Sequence, residues 1–329
     1  MLQPHDRARV EQLCKAYGFK PFSYYGEIAP RRLAKYFYQV LSAKCRQGII
    51  YGCIMDNWLE GVLLFEELPW DSVLFGVPMA KIELYLSPRI DSARYAVALR
   101  LLAEARRCCA RNKIQHLTCK VNTRELSIVH AVERHAFQLM DTITTLCIRL
   151  DEFCPPARTG KADVRIREIC EADLPYLAEL SRTIFTNRDD IVTRFNSDPI
   201  LQEKAGDLYT EWLMNSYKKE QADIVFVAEA AHRPIGFIAC KAPSEQVRRG
   251  LGASIGSIPL NAVGPTFRGR GVYTRLLIEA LKWFQLQGAD YVEIKTQIHT
   301  LGVHHVWHRL NGRLAGSSYV FHQWRGCSR

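Results

Sequence analysis

One stretch of the sequence decides the fold: Asn261-Ala262-Val263-Gly264-Pro265-Thr266-Phe267-Arg268-Gly269-Arg270-Gly271-Val272-Tyr273. A predicted strand ends at Val263, glycines follow, and a predicted helix begins at Val272. Glycines allow positive φ and close approach of the backbone to a ligand, and a helix N-terminus exposes unpaired N–H groups. The stretch therefore predicts a cradle for a pyrophosphate group, with added charge from Arg268 and Arg270.

The letters R-G-R-G alone also fit a plain turn or a basic loop. Two other phosphate-binding motifs fit less well. The P-loop pattern G-x-x-x-x-G-K-[ST] is absent. A dinucleotide-binding loop follows the first strand of its unit, whereas these glycines follow the fourth predicted strand.

The surroundings of the cradle predict a mixed α/β sheet. Val272, Leu276, Leu277, Ala280 and Phe284 recur at helical spacing, and Gly288 ends the helix. The order of predicted elements is β-α-α-β-β-β-α-β-α-β. The predicted strands of this half cover 164–167, 224–230, 234–239, 256–263, 291–296 and 317–324.

The two halves of the chain are related. An offset of 175 positions places Arg100-Leu101-Leu102-Ala103-Glu104-Ala105 on Arg275-Leu276-Leu277-Ile278-Glu279-Ala280. We therefore predict tandem units over residues 1–150 and 163–329, joined by a linker over 151–162. At this offset Ala93, Ala96 and Ala98 replace Arg268, Gly271 and Tyr273, so the first unit is predicted to be degenerate and to bind no phosphate.

Net charge, cysteine content and the length of apolar runs limit which partners, metal sites and cellular locations we expect. The net charge is +10, of which residues 1–150 carry +7. The sequence has no block of like charge of the kind that binds nucleic acid, so a small molecule that carries phosphate is the partner that this charge favours. The eleven cysteines lack metal-ligand spacing, so we expect reduced thiols and no metal site. No apolar run approaches the about 20 residues that span a bilayer, and no signal peptide is evident. We expect a cytoplasmic protein outside the membrane.

The cradle resembles the acyl-CoA motif of the GNAT superfamily, which is a strand, then [Q/R]-x-x-G-x-[G/A], then a long helix. Arg268 and Gly271 match its first and fourth positions, and Tyr273 stands where Gly or Ala is usual. The resemblance implies that acetyl-CoA lies on Arg268, Gly269, Arg270, Gly271, Val272 and Tyr273. It also implies that pantetheine pairs with Asn261, Ala262 and Val263, and that Thr300 begins the next helix.

In many GNAT enzymes a tyrosine seven residues after that helix start protonates the departing thiolate. Trp307 stands there, and an indole N–H does not titrate in water. We name His304, His305 and Tyr319 as substitute proton donors, and Glu229 as a group that could hold a relaying water.

Further stretches resemble the dTDP-fucosamine acetyltransferase-like branch of the superfamily. They are Leu68–Pro78, Arg194–Pro199, Leu208–Trp212 and Tyr319–Trp324. The resemblance implies an N-acetyltransferase whose acceptor is the amine of a nucleotide-linked sugar. A peptide or small-molecule amine, a non-catalytic CoA-binding sensor and a homodimer stay open at this point.

Overall fold

The computed structural model describes residues 6–44, 49–88, 93–155 and 164–325. Most of the predicted linker therefore lies outside the described residues. The chain divides into two compact units. The first comprises Met1–Thr142 with Ser317–Arg329, and the second comprises Ile143–Gly316.

The first unit is a sheet with helices on both faces. Its strand order is β1-β2-β3-β4-β11. Helices α4 and α5 pack on one face, and α1 and α2 cover the other. Its elements are α1 (Arg7–Ala16), α2 (Pro30–Lys44), β1 (Ile49–Met55), β2 (Trp58–Glu67), α3 (Pro69–Phe75), β3 (Met79–Leu86), α4 (Arg94–Arg111), β4 (His116–Asn122), α5 (Leu126–Arg134) and the Ser317–Trp324 part of β11 (Arg313–Trp324).

The second unit has the strand order β5-β10-β9-β8-β7-β6. Only β9 and β10 run parallel, which makes this the mixed sheet that the sequence predicts. The predicted apolar positions of α9 are all buried, and Gly288 follows that helix with positive φ. Its elements are β5 (Gln138–Arg149), β6 (Arg165–Glu168), α6 (Leu174–Thr186), α7 (Ala205–Tyr217), β7 (Ile224–Ala230), β8 (Arg233–Lys241), α8 (Glu245–Leu251), β9 (Ile255–Val263), α9 (Val272–Leu286), β10 (Tyr291–Gln297) and α10 (Leu301–Arg309).

The two units exchange their closing strands. Strand β5, which the sequence puts at the end of the first half, pairs with β10 from Ile143↔Gln297 to Arg149↔Tyr291. Strand β11, which the sequence puts at the end of the second half, pairs with β4. Both closing strands therefore exist as predicted, but each completes the sheet of the other copy.

Backbone geometry extends the repeat well beyond the matching helices. Residues other than glycine with positive φ are uncommon. Positions with positive φ recur at the same offset of 175 in one hairpin turn and at two helix ends of each unit, with glycine at one of the paired positions. The pairs are Asp56 with Ala231, Asn57 with His232, Lys113 with Gly288, and Ala136 with Asn311. The first unit therefore also has the helix pair and hairpin that precede the repeat in the second unit, which the sequence patterns did not predict.

The cysteines that the structure describes are free thiols, and most of them are buried. Burial raises the pKa of the Cys119 and Cys240 thiols well above the ordinary value. No helix in the described ranges is both long and apolar enough to cross a membrane.

Candidate functional site

An opening between β9 and β10 forms the base of the candidate site. The parallel register of these strands runs only from Ile255↔Tyr291 to Ile258↔Ile294. Strand β9 continues to Val263 and β10 to Gln297. Asn261 and Ala262 still pair with β8 on their other side. The strands therefore separate toward their carboxyl ends, and the edge of β9 that faces β10 has peptide groups available for a ligand.

The glycine loop joins β9 to the start of α9. Gly269 and Gly271 have φ of 71° and 87°, values that residues with a Cβ adopt at a cost. Gly271 is the N-cap of α9, and no side chain caps that helix. Since the first-turn N–H groups of a helix lack intrahelical partners, they are available to an anion. A Cβ added at Gly269 would meet no atom within 4 Å, so the space in front of the loop is open.

The two arginines of the loop differ in their surroundings. Arg268 forms an ion pair with Asp190, with Nη2 2.9 Å from Oδ2, and its Nε donates to the Val263 carbonyl at 3.0 Å. Asp190 therefore offsets the charge of Arg268, and the side chain fixes the loop. The Arg270 guanidinium lies 5.9 Å from the centre of the Phe267 ring. Arg270 is thus the arginine of this loop whose charge a ligand would meet.

The two departures from the family motif are in contact with each other. The buried Trp307 donates its indole N–H to the Tyr273 hydroxyl, with a nitrogen–oxygen distance of 3.0 Å. Burial raises the pKa of Tyr273 well above its usual value, and the bond from Trp307 offsets part of that rise. Because the Tyr273 oxygen accepts this bond, its own proton can be donated to another group. The contact joins α9 to α10, the helices that follow the two separating strands.

The histidines of α10 differ in exposure. His304 is half-buried, and its Nε2 lies 3.3 Å from both Thr144 Oγ1 and the Gln297 carbonyl oxygen. His305 and His308 are exposed. Thr300 does not cap α10 with its side chain, because its hydroxyl donates to the Gln297 carbonyl at 2.7 Å. Of the predicted histidines, His304 is therefore the one that faces the protein interior.

Glu229 lies apart from this opening, and Tyr319 belongs to the other unit. Glu229 accepts a hydrogen bond of 2.7 Å from Arg167, and Arg167 also donates to Asp173. These bonds hold the Glu229 carboxylate at the paired strands β6 and β7. Tyr319 lies on β11 in the first unit, opposite Val121. The second unit thus brings together the β9 segment, the glycine loop and α10, but not Glu229 or Tyr319.

Sequence reasoning missed three contacts of this site. Asp190 lies 78 positions from Arg268, and Thr144 lies 160 positions from His304. Neither residue has a periodic or motif signal. The signal for the Tyr273–Trp307 contact was present, since both residues replace ones that are usual in GNAT enzymes.

Comparison with known proteins agrees with this geometry. Residues 188–312 match the Acetyltransferase (GNAT) family. These residues form a GNAT domain. The match spans the glycine loop, the β9–β10 opening and α10, so the GNAT acetyltransferase domain predicted from the sequence is confirmed over these residues, and with it the predicted acyltransferase class.

Relatives of this GNAT chain extend over both units. The spore coat polysaccharide biosynthesis protein SpsD of Bacillus subtilis is 21% identical over 280 residues, covering 84% of this chain and 88% of SpsD. A GCN5-related N-acetyltransferase from Sphaerobacter thermophilus superposes with a TM-score of 0.63 at 14% identity, covering 100% and 96% of the two chains. A tandem GNAT protein from the clavulanic acid pathway gives 0.55 at 13%, covering 100% and 98%. The tandem GNAT fold predicted from the sequence is therefore confirmed.

Proposed function

We propose that the second unit transfers an acetyl group from acetyl-CoA to a primary amine. The observation that carries the proposal is the uncapped N-terminus of α9 behind two positive-φ glycines, directly beside the β9–β10 opening. An N-terminus of this kind binds diphosphates, and an open strand edge binds an extended amide chain. Acetyl-CoA has both groups in series.

Each part of acetyl-CoA has a partner in this arrangement. The diphosphate lies on the backbone N–H groups from Gly269 to Tyr273, with Arg270 supplying charge. The pantetheine amides pair with the β9 edge at Asn261, Ala262 and Val263. Thr300, at the start of α10, lies across the opening from that edge.

The reaction requires one proton to be delivered to sulfur. The amine nitrogen attacks the thioester carbonyl, a C–N bond forms, and the C–S bond breaks with its electron pair on sulfur. Backbone N–H groups of β9 polarise the carbonyl, and close placement of the reactants supplies much of the rate. The leaving thiolate takes a proton from an acid in the site, and the amine loses one to solvent.

Tyr273 is the acid that the contacts favour. Its hydroxyl accepts from Trp307, so its proton is directed elsewhere. Its side chain extends from the first turn of α9 to Trp307 on α10. His304 is the second candidate, because its ring is half-buried on α10. We favour His305 and Glu229 less, because His305 is exposed and Glu229 is held in an ion pair, and Tyr319 belongs to the other unit.

For the acceptor, we propose the amine of a nucleotide-linked sugar. Support comes from similarity to SpsD, a polysaccharide biosynthesis protein, over most of both chains. The stretches that resemble dTDP-fucosamine acetyltransferase-like proteins also favour a nucleotide-linked sugar as the acceptor. Peptide amines and other small amines are the alternatives.

A thiol-release assay tests this function. Free CoA is measured with acetyl-CoA and three acceptor sets: nucleotide-linked amino sugars, free amino sugars and short peptides. We expect acetyl-CoA to raise the melting temperature, and a nucleotide-linked amino sugar to give the highest kcat/KM. Turnover only with peptides would replace the proposed acceptor. Binding without turnover on any amine would identify a CoA sensor, and no binding would contradict the function altogether.

A further inference from the structure

The first unit has a surface pocket that the acetyl transfer does not use. Its volume is about 660 Å³, within the range of about 300–1,000 Å³ for small-molecule sites. Three elements surround it, namely α4, the turn after α5 and the end of β11. The residues that define it are Leu99, Arg106, Arg134, His135, Trp324 and Arg325.

Positive charge converges on this pocket. Arg106, Arg134 and Arg325 come from three different elements, and no carboxylate lines the pocket. Among the described residues none of these three arginines has an ion-pair partner, whereas the neighbouring Arg107 pairs with Glu104. Burial lowers the pKa of His135, and the positive charges of Arg106 and Arg134 lower it further. The guanidinium groups of Arg106 and Arg134 are therefore both close enough to act on the His135 ring.

One of the three arginines is fixed in place before any ligand arrives. Arg325 Nη1 donates to the Arg106 carbonyl at 2.9 Å, and the side chain also bonds to Cys109. A guanidinium that is already held loses less entropy when it binds an anion. Arg325 thus forms a rigid wall of the pocket, and Arg106 and Arg134 are exposed opposite an open space.

A helix dipole accounts for Arg134, which lies in the last turn of α5, but not for Arg106 or Arg325. A cation in the last turn of a helix stabilises the negative end. In α4 that position belongs to Arg111, and Arg106 lies more than one turn earlier. Arg325 follows a strand and serves no helix end. The convergence of Arg106 and Arg325 with Arg134 therefore requires another explanation.

We propose that this pocket binds the diphosphate group of a small molecule. Guanidinium groups bind phosphate oxygens in pairs, which suits two adjacent phosphates. The Trp324 ring and Leu99 offer apolar surface for the organic part of the ligand. Nucleic acid fits less well, because it requires an extended basic stripe rather than one concave pocket. This proposal does not depend on the acetyltransferase function, since the pocket lies in the other unit.

Titration calorimetry with inorganic pyrophosphate and with uridine diphosphate tests the proposal. The full chain is saturated with acetyl-CoA beforehand, so that the loop at α9 is occupied. We expect Arg106→Ala and Arg134→Ala each to weaken binding at least tenfold. Arg107→Ala is the matched control, because it removes the same charge one residue away and outside the pocket, and it should change the affinity less than twofold.

Three results would overturn the proposal. Equal affinity in Arg106→Ala, Arg134→Ala and Arg107→Ala would show that general charge attracts the probe. Loss of pyrophosphate binding in Gly271→Trp would place the probe on the α9 loop instead. Displacement of pyrophosphate by a DNA duplex at physiological salt, with higher affinity, would identify a nucleic-acid surface. A failure of acetyl-CoA binding with normal pyrophosphate binding would count against the proposed function alone.

Discussion

At the scale of single residues, the structural role of the Tyr273–Trp307 contact can be separated from the catalytic role that we propose for Tyr273. Tyr273→Phe removes the acid, and we expect kcat to fall about a hundredfold, a typical loss for general acid catalysis. Trp307→Phe keeps the hydroxyl, so kcat should fall by only a few fold. Steady-state kinetics checks both. Equal losses of kcat in the two variants would show that the contact only supports packing.

The same pair gives a stability prediction. In Tyr273→Phe the buried indole N–H of Trp307 has no acceptor, which costs about 1–3 kcal/mol. The melting temperature should therefore fall in Tyr273→Phe. In the background of Trp307→Phe, the further change Tyr273→Phe should cost much less, because neither polar partner is then left alone. Additive losses across this double-mutant cycle would contradict the hydrogen bond.

At the scale of elements, glycines set how closely helices approach strands. A Cβ at Gly256 would lie 2.5 Å from the Phe284 ring, so β9 and α9 pack in direct contact there. Gly256→Ala should destabilise the protein by about 1–3 kcal/mol through overpacking. Gly302→Ala on α10 meets open space and should stabilise the protein by about 0.5–1 kcal/mol. Thermal unfolding measures both, and the same sign for the two changes would contradict this packing.

The elements also show what local sequence can predict. The glycine loop and α9 could be predicted because a strand end, glycines and an apolar helical repeat are contiguous in the chain. The Arg268–Asp190 ion pair could not be predicted, because it depends on the tertiary path of the loop after α6. Helices α1 and α2 escaped prediction because their repeat partners in the second unit share no residue pattern with them.

At the scale of the whole molecule, the exchange of β5 and β11 is the feature that sequence could not predict. Both strands follow equivalent helices, α5 and α10, so the local pattern fits either sheet. The choice between two sheets depends on the whole chain. The same ambiguity explains why predicted boundaries at 150 and 163 differ from units that end at Thr142 and Gly316.

Removal of residues 317–329 tests the strand exchange. The truncated chain keeps every strand of the second unit but removes β11 from β4. We expect hydrogen exchange to quicken at His116–Asn122 and to stay slow at Tyr291–Gln297, with acetyl-CoA binding retained. If the strands were not swapped between the units, the truncation would give the reverse result, with rapid hydrogen exchange at Tyr291–Gln297.

The central claim is that the loop before α9 holds acetyl-CoA, and calorimetry on two matched glycine variants tests it most directly. Gly269 and Gly288 have φ of 71° and 68°, and neither has a close neighbour, so valine at either position brings a similar backbone strain of about 1–2 kcal/mol. We predict that Gly269→Val weakens acetyl-CoA binding at least tenfold, while Gly288→Val binds like the parent chain. Unchanged affinity in Gly269→Val, or an equal loss in both variants, would contradict the account.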